Sequence, residues 1–247
     1  MSQRALWLTE AAMSIRRIVG RIAQLYRYPV KSMAGESLDA VEVSWNGVAG
    51  DRRWAFVRPD HQAHGFPWQT IREEPRMWMF SARLRDPDRP EASTVDVRTP
   101  DGTELTVTDP LLPDLIGRGL RLMRLHRGTF DALPISLIST GTVDALCKDI
   151  VDKADPRRFR PNLVVEADEP FAEDAWVGST LQIGTTALRV DKRDSRCVVI
   201  TVDPATARTT PELLQRVARE RGSSAGVYGS VVSPGIAHAG DPVYLHA

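Results

Sequence analysis

The sequence has few of the features that mark several large classes of protein. Its 247 residues include two cysteines, Cys147 and Cys197, too few for a disulfide framework, which predicts a reducing, cytoplasmic compartment. No apolar run approaches the roughly 20 residues that a membrane-spanning helix needs. Lys and Arg total 32, as do Asp and Glu, so no basic surplus favours nucleic acid or an anionic membrane as a partner. Any basic site must therefore be local.

Common catalytic motifs are missing as well. The chain has no P-loop, no Gly-x-Gly-x-x-Gly fingerprint and no serine in a nucleophile elbow. His61 and His64 have no further ligands at metal spacing, so we interpret them as a surface pair rather than a zinc site. Residues 1–13 contain one Arg and no apolar core of a signal peptide. Met13 offers an alternative start, which would leave residues 1–12 as an extension.

Short β-type segments separated by Gly, Pro and Asp make up most of the chain. Their β-branched content and frequent turns predict a mainly β fold with a few helices. Barrels or sandwiches fit this pattern better than a doubly wound parallel sheet. The predicted segments are residues 18–19, 41–43, 54–57, 95–97, 105–107, 120–122, 163–165, 181–183, 188–190, 197–202 and 243–245.

Two segments have helical periodicity. One follows Ser139 and carries apolar side chains at positions 143, 146, 147 and 150, so we expect Cys147 to be a core residue. The other is predicted to begin with Thr210 as N-cap and Pro211 as first helical residue, and to bury positions 213, 214 and 217.

A domain boundary is predicted at residues 109–114, where two prolines in four residues interrupt the β pattern. This division gives a smaller N-terminal β module, residues 14–115, and a larger β-rich module, residues 116–247. The sequence contains no internal repeat or low-complexity tract that would favour a different organisation.

Cys197 is the first candidate for chemistry. It follows Ser195 and Arg196, with Lys192 and Arg193 just upstream, and such a basic flank favours a thiolate. The apolar run after it is expected to anchor it on a strand. A buried, unreactive cysteine of the core is the alternative interpretation, and the residues alone leave both open.

Two basic turns and one basic loop are candidates for binding an anion. The turns are Tyr28–Ser32 and Gly50–Trp54, where Lys or Arg is flanked by Ser or Gly, and the loop is residues 157–162, with three arginines and an asparagine. Cations combined with hydroxyl and backbone N–H donors can form an anion pocket. Ordinary turns and a loop with solvated cations would give the same pattern.

Taken together, these motifs resemble the MOSC family, with an N-terminal MOSC β-barrel domain and the MOSC domain itself. Their order and spacing are similar to those of the mitochondrial amidoxime-reducing components and their bacterial relatives, from about residue 15 to the C-terminus. The matching segments are residues 28–32, 50–54, 158–162, 172–176, 183–184, 196–197, 201–204, 226–228 and 240–245.

The resemblance implies a β-barrel MOSC core and a molybdenum cofactor whose metal takes Cys197 as its one protein ligand, which makes Cys197 the catalytic and metal residue. A soft thiolate suits such a metal. Lys31, Ser32 and Arg52 would hold the pterin phosphate, and Asp131 would contribute from its loop. Arg160 and Asn162 would contact the cofactor, and Ser195 and Arg196 would flank the ligand. Pyridoxal phosphate binding is a further association of the family.

The chain departs from the family pattern at two places. Relatives usually have Asp-Thr-Ser-Pro where this chain has Asp131-Ala132-Leu133-Pro134, and often a second Thr where it has Ile200. Both changes predict a less polar pocket wall. They put the identity of the substrate in question more than that of the cofactor.

The implied activity is reduction of N-hydroxylated small molecules, in which molybdenum cycles between two oxidation states. Two cysteines cannot hold an iron–sulfur cluster that needs four, so electrons should come from a separate ferredoxin, flavoprotein or b-type cytochrome. Arg72 and Arg76 are candidates for the substrate opening. The alternatives are a sulfur-carrier module bearing a persulfide on Cys197, and a silent relative that only binds the pterin.

Overall fold

A computed structural model describes residues 16–59, 66–167 and 169–246. The predicted histidine pair and the N-terminal residues 1–15 lie outside this part of the chain. The strands within it are Arg16–Arg27 (β1), Glu36–Leu38 (β2), Ala40–Ser44 (β3), Gly47–Val48 (β4), Trp54–Val57 (β5), Ser81–Leu84 (β6), Val95–Arg98 (β7), Glu104–Thr106 (β8), Arg121–Arg124 (β9), Ile135–Ser139 (β10), Leu163–Glu166 (β11), Thr180–Ile183 (β12), Thr186–Ser195 (β13), Ser224–Ser233 (β14), Gly235–His238 (β15) and Pro242–His246 (β16).

A closed β-barrel forms the centre of the molecule. Its strands follow the order β11-β10-β14-β13-β12-β16-β1, and β1 pairs back to β11, while β2 extends the sheet from β1. β10 and β11 are parallel, and the other pairs are antiparallel. The mainly β fold predicted from the sequence is confirmed.

Because β1 hydrogen-bonds to both β11 and β16, the first strand of the predicted N-terminal module completes the barrel of the C-terminal one. Three smaller sheets, β15-β3-β4, β5-β9 and β6-β7-β8, account for the remaining strands of the described residues. The division at residues 115 and 116 stays a prediction, and strand pairing crosses it at several places.

The α-helices of the described residues are Leu111–Ile116 (α1), Thr140–Cys147 (α2) and Pro211–Arg221 (α3). In α2, Ser139 is the N-cap, and Cys147 is 1% exposed, which confirms it as a core residue. α3 begins at Pro211 after Thr210, as predicted, although the Thr210 side chain makes no capping hydrogen bond. Within the described residues no helix is long and apolar enough to cross a membrane.

The core has two parts that lie on either side of the barrel wall. One fills the barrel and includes Leu25, Val165 and Val243. The other packs the helices and the sheets β5-β9 and β6-β7-β8 against the outside and includes Phe56 and Leu213, whereas the buried side chains of β3, β4 and β15 belong to the first part. Strand residues alternate between the two parts, since successive side chains of a strand point to opposite faces.

Candidate functional site

One pocket is lined by all nine residues that the sequence nominated as a site. The space inside it and at its open mouth is together about 750 Å³. We call it the Cys197 pocket. The turns after β1 and before β5, the segment before β10, the turn before β11 and the end of β13 converge on it. The nine residues are Lys31, Ser32, Arg52, Asp131, Arg160, Asn162, Ser195, Arg196 and Cys197.

The Cys197 pocket is strongly basic, although the whole chain is neutral. Six cationic side chains and two carboxylates line it. Such a concentration of one sign in a confined site favours an anionic ligand. The cations are Lys31, Arg52, Arg72, Arg158, Arg160 and Arg196, and the carboxylates are Asp131 and Asp194.

The two basic turns lie side by side on backbone hydrogen bonds. The Arg52 amide donates to the Tyr28 carbonyl at 2.7 Å, and the Lys31 amide donates to the Trp54 carbonyl at 2.8 Å. Asp51 is 1% exposed and accepts from the Tyr28 amide at 2.7 Å and from the Arg52 guanidinium. This buried carboxylate therefore fixes the Arg52 side chain beside Lys31.

Lys31 is buried with its ammonium only partly paired. Nζ donates to the Thr129 carbonyl and to Asp131 Oδ1, each at 2.6 Å. Burial lowers the pKa of Lys31, and the charge of Asp131 opposes this shift. An ammonium has three donors, so one remains for a ligand after these two bonds. Ser32 follows with a positive φ of 70°, which turns the chain sharply at the pocket.

Arg160 carries a buried polar atom that has no partner among the described residues. Its guanidinium stacks on Tyr28 and Trp78, with 4.4 Å from Cζ to each ring centre, and Nη1 donates to the Met33 carbonyl at 2.8 Å. Nη2 is buried and makes no hydrogen bond. Burial, and next the charge of Arg52, lower the pKa of Arg160 to about 10. A ligand oxyanion would satisfy Nη2 and offset both effects.

Asn162 and Arg196 are held by the protein itself. Asn162 Nδ2 donates to the Tyr26 carbonyl at 3.3 Å, and its Oδ1 accepts from the Ser136 amide at 3.2 Å. Arg196 Nε donates to the Ala225 carbonyl and Nη1 to the Phe159 carbonyl, both at 2.7 Å. Arg196 Nη2 lies 2.9 Å from Asp194. These contacts suit residues that fix the loops around a ligand.

Cys197 lies at the start of a 3-10 helix, Val198–Thr201, and not on the strand that its apolar neighbours suggested. That prediction was wrong because local bonds close a turn: the Ile200 amide donates to the Cys197 carbonyl at 3.2 Å, and Thr201 Oγ1 donates to the Val198 carbonyl at 2.7 Å. The Cys197 thiol is partly exposed in the pocket, and Arg72 Nη2 lies 3.4 Å from Sγ.

The structure separates the arginines that the sequence grouped together. Arg157 pairs with Asp155 at 2.6 Å, and Arg158 donates to the Thr201 carbonyl at 3.2 Å and pairs with Asp203. Arg158 thus braces the turn after Cys197 rather than acting as a free cation. Of the two arginines predicted at the substrate opening, Arg72 lines the Cys197 pocket and Arg76 does not.

Sequence reasoning missed several residues of the pocket wall. Asp194 is 1% exposed and accepts from Ser136 Oγ at 3.1 Å, and burial raises its pKa to about 6 against the effect of Arg196. Asp194 could have been predicted, because it directly precedes Ser195-Arg196-Cys197 in the sequence. No sequence motif points to Ser136. The apolar part of the wall is formed by Phe66, Ile71, Phe130, Leu133, Phe159, Val199 and Ile200.

Two family models match the chain and together cover most of it. The MOSC N-terminal beta barrel domain matches residues 19–131, and the MOSC domain matches residues 124–244. "Mitochondrial amidoxime-reducing component 1" of Mus musculus is 26% identical over 92% of this chain and 82% of its own length. The Homo sapiens protein of the same name is 26% identical over 98% of this chain and 87% of its own length.

Two further comparisons concern part of the chain and the fold. "Molybdenum cofactor sulfurase" of Danio rerio is 46% identical over 74 residues, which are 29% of this chain and 9% of that protein. The crystal structure of the YUAD protein from Bacillus subtilis has a TM-score of 0.53 at 15% identity, over 94% of this chain and 97% of that one. At that identity the structural likeness shows the fold alone.

Proposed function

This chain belongs to the MOSC family, and from that premise we propose that it is a molybdenum-cofactor-dependent oxidoreductase that reduces N-hydroxylated small molecules. The observation that carries the proposal is the combination of a thiol, Cys197, with a basic pocket around it. Relatives named as amidoxime-reducing components, matched over most of their length, support the reaction class.

The residues of the pocket fit an anionic, metal-bearing cofactor. Arg160 Nη2 is buried without a hydrogen-bond acceptor, and Lys31 has one ammonium donor to spare. A phosphate supplies strong acceptors for both, and charge-assisted bonds of this kind contribute roughly 1.5–3 kcal/mol each. The Cys197 thiolate is a ligand of the soft type that such a metal accepts.

We assign the pocket residues different roles toward the cofactor. Lys31, Ser32 and Arg52 would hold the pterin phosphate, and Cys197 would bind the metal. Arg160 would donate through Nη2, and Ser195 would contribute its exposed hydroxyl next to the ligand. Three residues already have protein partners and would act mainly by positioning others. Asn162 and Arg196 would fix the loops, and Asp131 would fix Lys31.

The cofactor, when bound, supplies two-electron redox chemistry at its metal. Reduction of an N-hydroxylated substrate consumes two electrons and two protons, breaks the N–O bond and releases the amine and water. Arg72 Nη2 lies 3.4 Å from Cys197 Sγ, and in this proposal it would donate a hydrogen bond to the substrate oxygen. Leu133 and Ile200 make the adjoining wall apolar, which favours substrates with an aryl or alkyl substituent on the reacting group.

We expect electrons to come from a separate protein, because two cysteines cannot hold an iron–sulfur cluster that needs four. A ferredoxin, a flavoprotein or a b-type cytochrome is the expected class of donor. Without one, the purified protein should not turn over with reduced nicotinamide nucleotides. A cytoplasmic location stays a prediction from the cysteine content.

Metal and pterin analysis after expression in a cofactor-competent host tests the proposal. We expect about one molybdenum atom per chain, a stoichiometry set by the single ligand thiol. Cys197→Ser should lose the metal, and the matched control Cys147→Ser, a core change, should keep it. Absence of molybdenum from the unmodified protein, or its retention in Cys197→Ser, would refute the proposal.

The phosphate assignment has its own test. Lys31→Ala with Arg52→Ala should lower cofactor occupancy at least tenfold, because two charge-assisted contacts are lost. Lys148→Ala with Arg98→Ala removes the same charge from exposed positions and should leave occupancy unchanged. Unchanged occupancy in the first pair would show that the phosphate binds elsewhere.

A second candidate function is a sulfur-carrier module with a persulfide on Cys197. The local identity of 46% to a molybdenum cofactor sulfurase favours it over a silent protein that only binds the pterin. It predicts a reducible mass increase of one sulfur atom on Cys197 and no metal. Pyridoxal phosphate suits the pocket less well, because Lys31 is the lysine that lines it and its ammonium is paired with Asp131.

A further inference from the structure

A basic segment, residues 118–127, leads along the protein surface to the Cys197 pocket. It contains four arginines and His126, and no Asp or Glu occurs between Asp114 and Asp131. All five basic side chains are exposed. Within the described residues, none of the four arginines has an acidic partner within ion-pair distance. The arginines are Arg118, Arg121, Arg124 and Arg127.

The segment is fixed in place by β9, which pairs with β5 along one edge. Its other edge has no strand partner among the described residues. Arg121 and Met123 share the face away from the packed Leu122, and Met123 is 42% exposed. Arginine and methionine are both enriched in protein interfaces. Charged side chains on an edge strand prevent it from pairing with other chains, and charges of either sign serve that purpose. The side chains of this segment carry only positive charge.

The segment ends at the pocket itself. Thr129 donates through its amide to the Arg52 carbonyl at 2.8 Å and through Oγ1 at 3.0 Å, and its carbonyl accepts from Lys31 Nζ at 2.6 Å. Arg127 and Thr129 are two positions apart in the chain, so they lie at most about 7 Å from each other. Asp131, two residues further, lies 3.8 Å from Arg72, which contacts Cys197. A protein bound on the segment would therefore lie next to the redox site.

We propose that the basic segment 118–127 is the docking surface for an acidic electron-donor protein, an inference that rests on the function proposed above. Positive charge around the entry to a redox site steers an acidic partner and orients it, and this acts mainly on the association rate. Each N–O reduction requires two electrons, and a [2Fe–2S] ferredoxin or a b-type cytochrome carries one, so two such donors bind and are oxidised in turn.

Charge reversal of the holoprotein tests this surface. Arg121→Glu with Arg127→Glu changes two exposed positions outside the pocket. Arg17→Glu with Arg98→Glu is the matched control, since both residues are exposed, lie on β1 and β7, and undergo the same change in charge. The probes are an acidic [2Fe–2S] ferredoxin, a flavodoxin and the haem domain of a b-type cytochrome. Their Kd is measured at low and at physiological salt.

We expect at least one of the three donors to bind the unmodified protein at low salt. The Kd of that donor should be about tenfold or more higher for the Arg121/Arg127 variant. For the control variant it should rise less than twofold. Added salt should weaken donor binding to the unmodified protein more than donor binding to the variant. Failure of all three donors to bind, or equal losses in variant and control, would overturn the proposal. So would segment-dependent binding to phosphatidylserine vesicles with no effect on the donors.

A small-molecule donor separates this inference from the proposed function. Methyl viologen reduced by dithionite needs no docking surface, so an aromatic amidoxime should be reduced at equal rates by both variants and the unmodified protein. Loss of this rate in the Arg121/Arg127 variant would show damage to the site and overturn the docking role. If even the unmodified holoprotein fails with viologen, the proposed function is refuted, and the Kd comparison still decides the docking surface.

Discussion

Asp194 offers a measurable test of the electrostatics of the pocket, because its carboxyl is buried and burial disfavours the charged form. It is 1% exposed, with Arg196 Nη2 at 2.9 Å and Ser136 Oγ at 3.1 Å. Burial raises its pKa to about 6, and the nearby Arg196 opposes the shift without cancelling it. The ordinary value for an aspartate in an unfolded chain is about 3.9.

The sign of the effect on stability follows from these two values. Between about pH 4 and pH 6 the native protein holds a proton on Asp194 that the unfolded chain has released, so more protons are bound in the native state. The free energy of unfolding therefore falls as pH rises through this window and levels off above it. From pH 4.5 to the pKa of about 6 is about 1.5 pH units. At about 1.4 kcal/mol per unit, the free energy of unfolding falls by about 2 kcal/mol over this range.

Asp194→Asn removes this titration and keeps the size of the side chain. We expect the free energy of unfolding of the variant minus that of the unmodified apoprotein to rise by about 2 kcal/mol from pH 4.5 to pH 7.5. Urea unfolding across that range measures it. Asp131→Asn is the control, because Lys31 keeps the pKa of Asp131 low and the difference for this variant should stay flat. A flat difference for Asp194→Asn would mean that its ion pair with Arg196 outweighs burial.

Three further predictions use other contacts of the described residues. Ser139→Ala removes the N-cap of α2 and should lower the free energy of unfolding by about 1 kcal/mol, measured by urea denaturation. A thiol reagent should label Cys197 quickly in the native apoprotein, and Cys147 only after unfolding, since burial both shields that thiol and raises its pKa. Arg158→Met leaves Asp203 without its cation and should cost about 2 kcal/mol, with lower cofactor occupancy at a temperature where the variant stays folded.

Local pattern was enough to predict much of the secondary structure. Residues 54–57 and 163–165 are apolar runs between turns, rich in β-branched or aromatic side chains, and they form most of β5 and β11. The helix that starts at Pro211 was predicted from a fixed φ and an apolar stripe. Residues 197–202 look equally like a strand, but short local hydrogen bonds and the Arg158 side chain, 43 positions earlier in the chain, hold them in a 3-10 turn.

Closure of the barrel could not be predicted in the same way. β1 pairs with β11 and β16, which lie more than a hundred residues further along the chain. Nothing in the period-two pattern of β1 specifies those partners, since the pattern fixes which face is buried and not which strand lies alongside. The candidate site residues were predicted through motifs shared with a family, and the geometry shows that they line one pocket and that Arg196 and Asn162 bond mainly to the protein.

The backbone around the pocket carries a separate argument for a bound anion. Ser32, Arg52 and Arg160 have positive φ angles of 70°, 49° and 52°. The left-handed region costs a residue with a side chain roughly 1–2 kcal/mol, and glycine would relieve that strain. Sequence patterns consequently favour glycine or asparagine at such turns, which is why these conformations were not predicted.

The two arginines at these turns hold each other in place, since Arg52 Nη2 donates to the Arg160 carbonyl at 2.9 Å and both guanidinium groups stack on Tyr28. These contacts offset part of the cost of holding two cations close together on strained backbone. A ligand with negative charge between them would offset more of it, because it removes the repulsion and uses the donors that the fold leaves free.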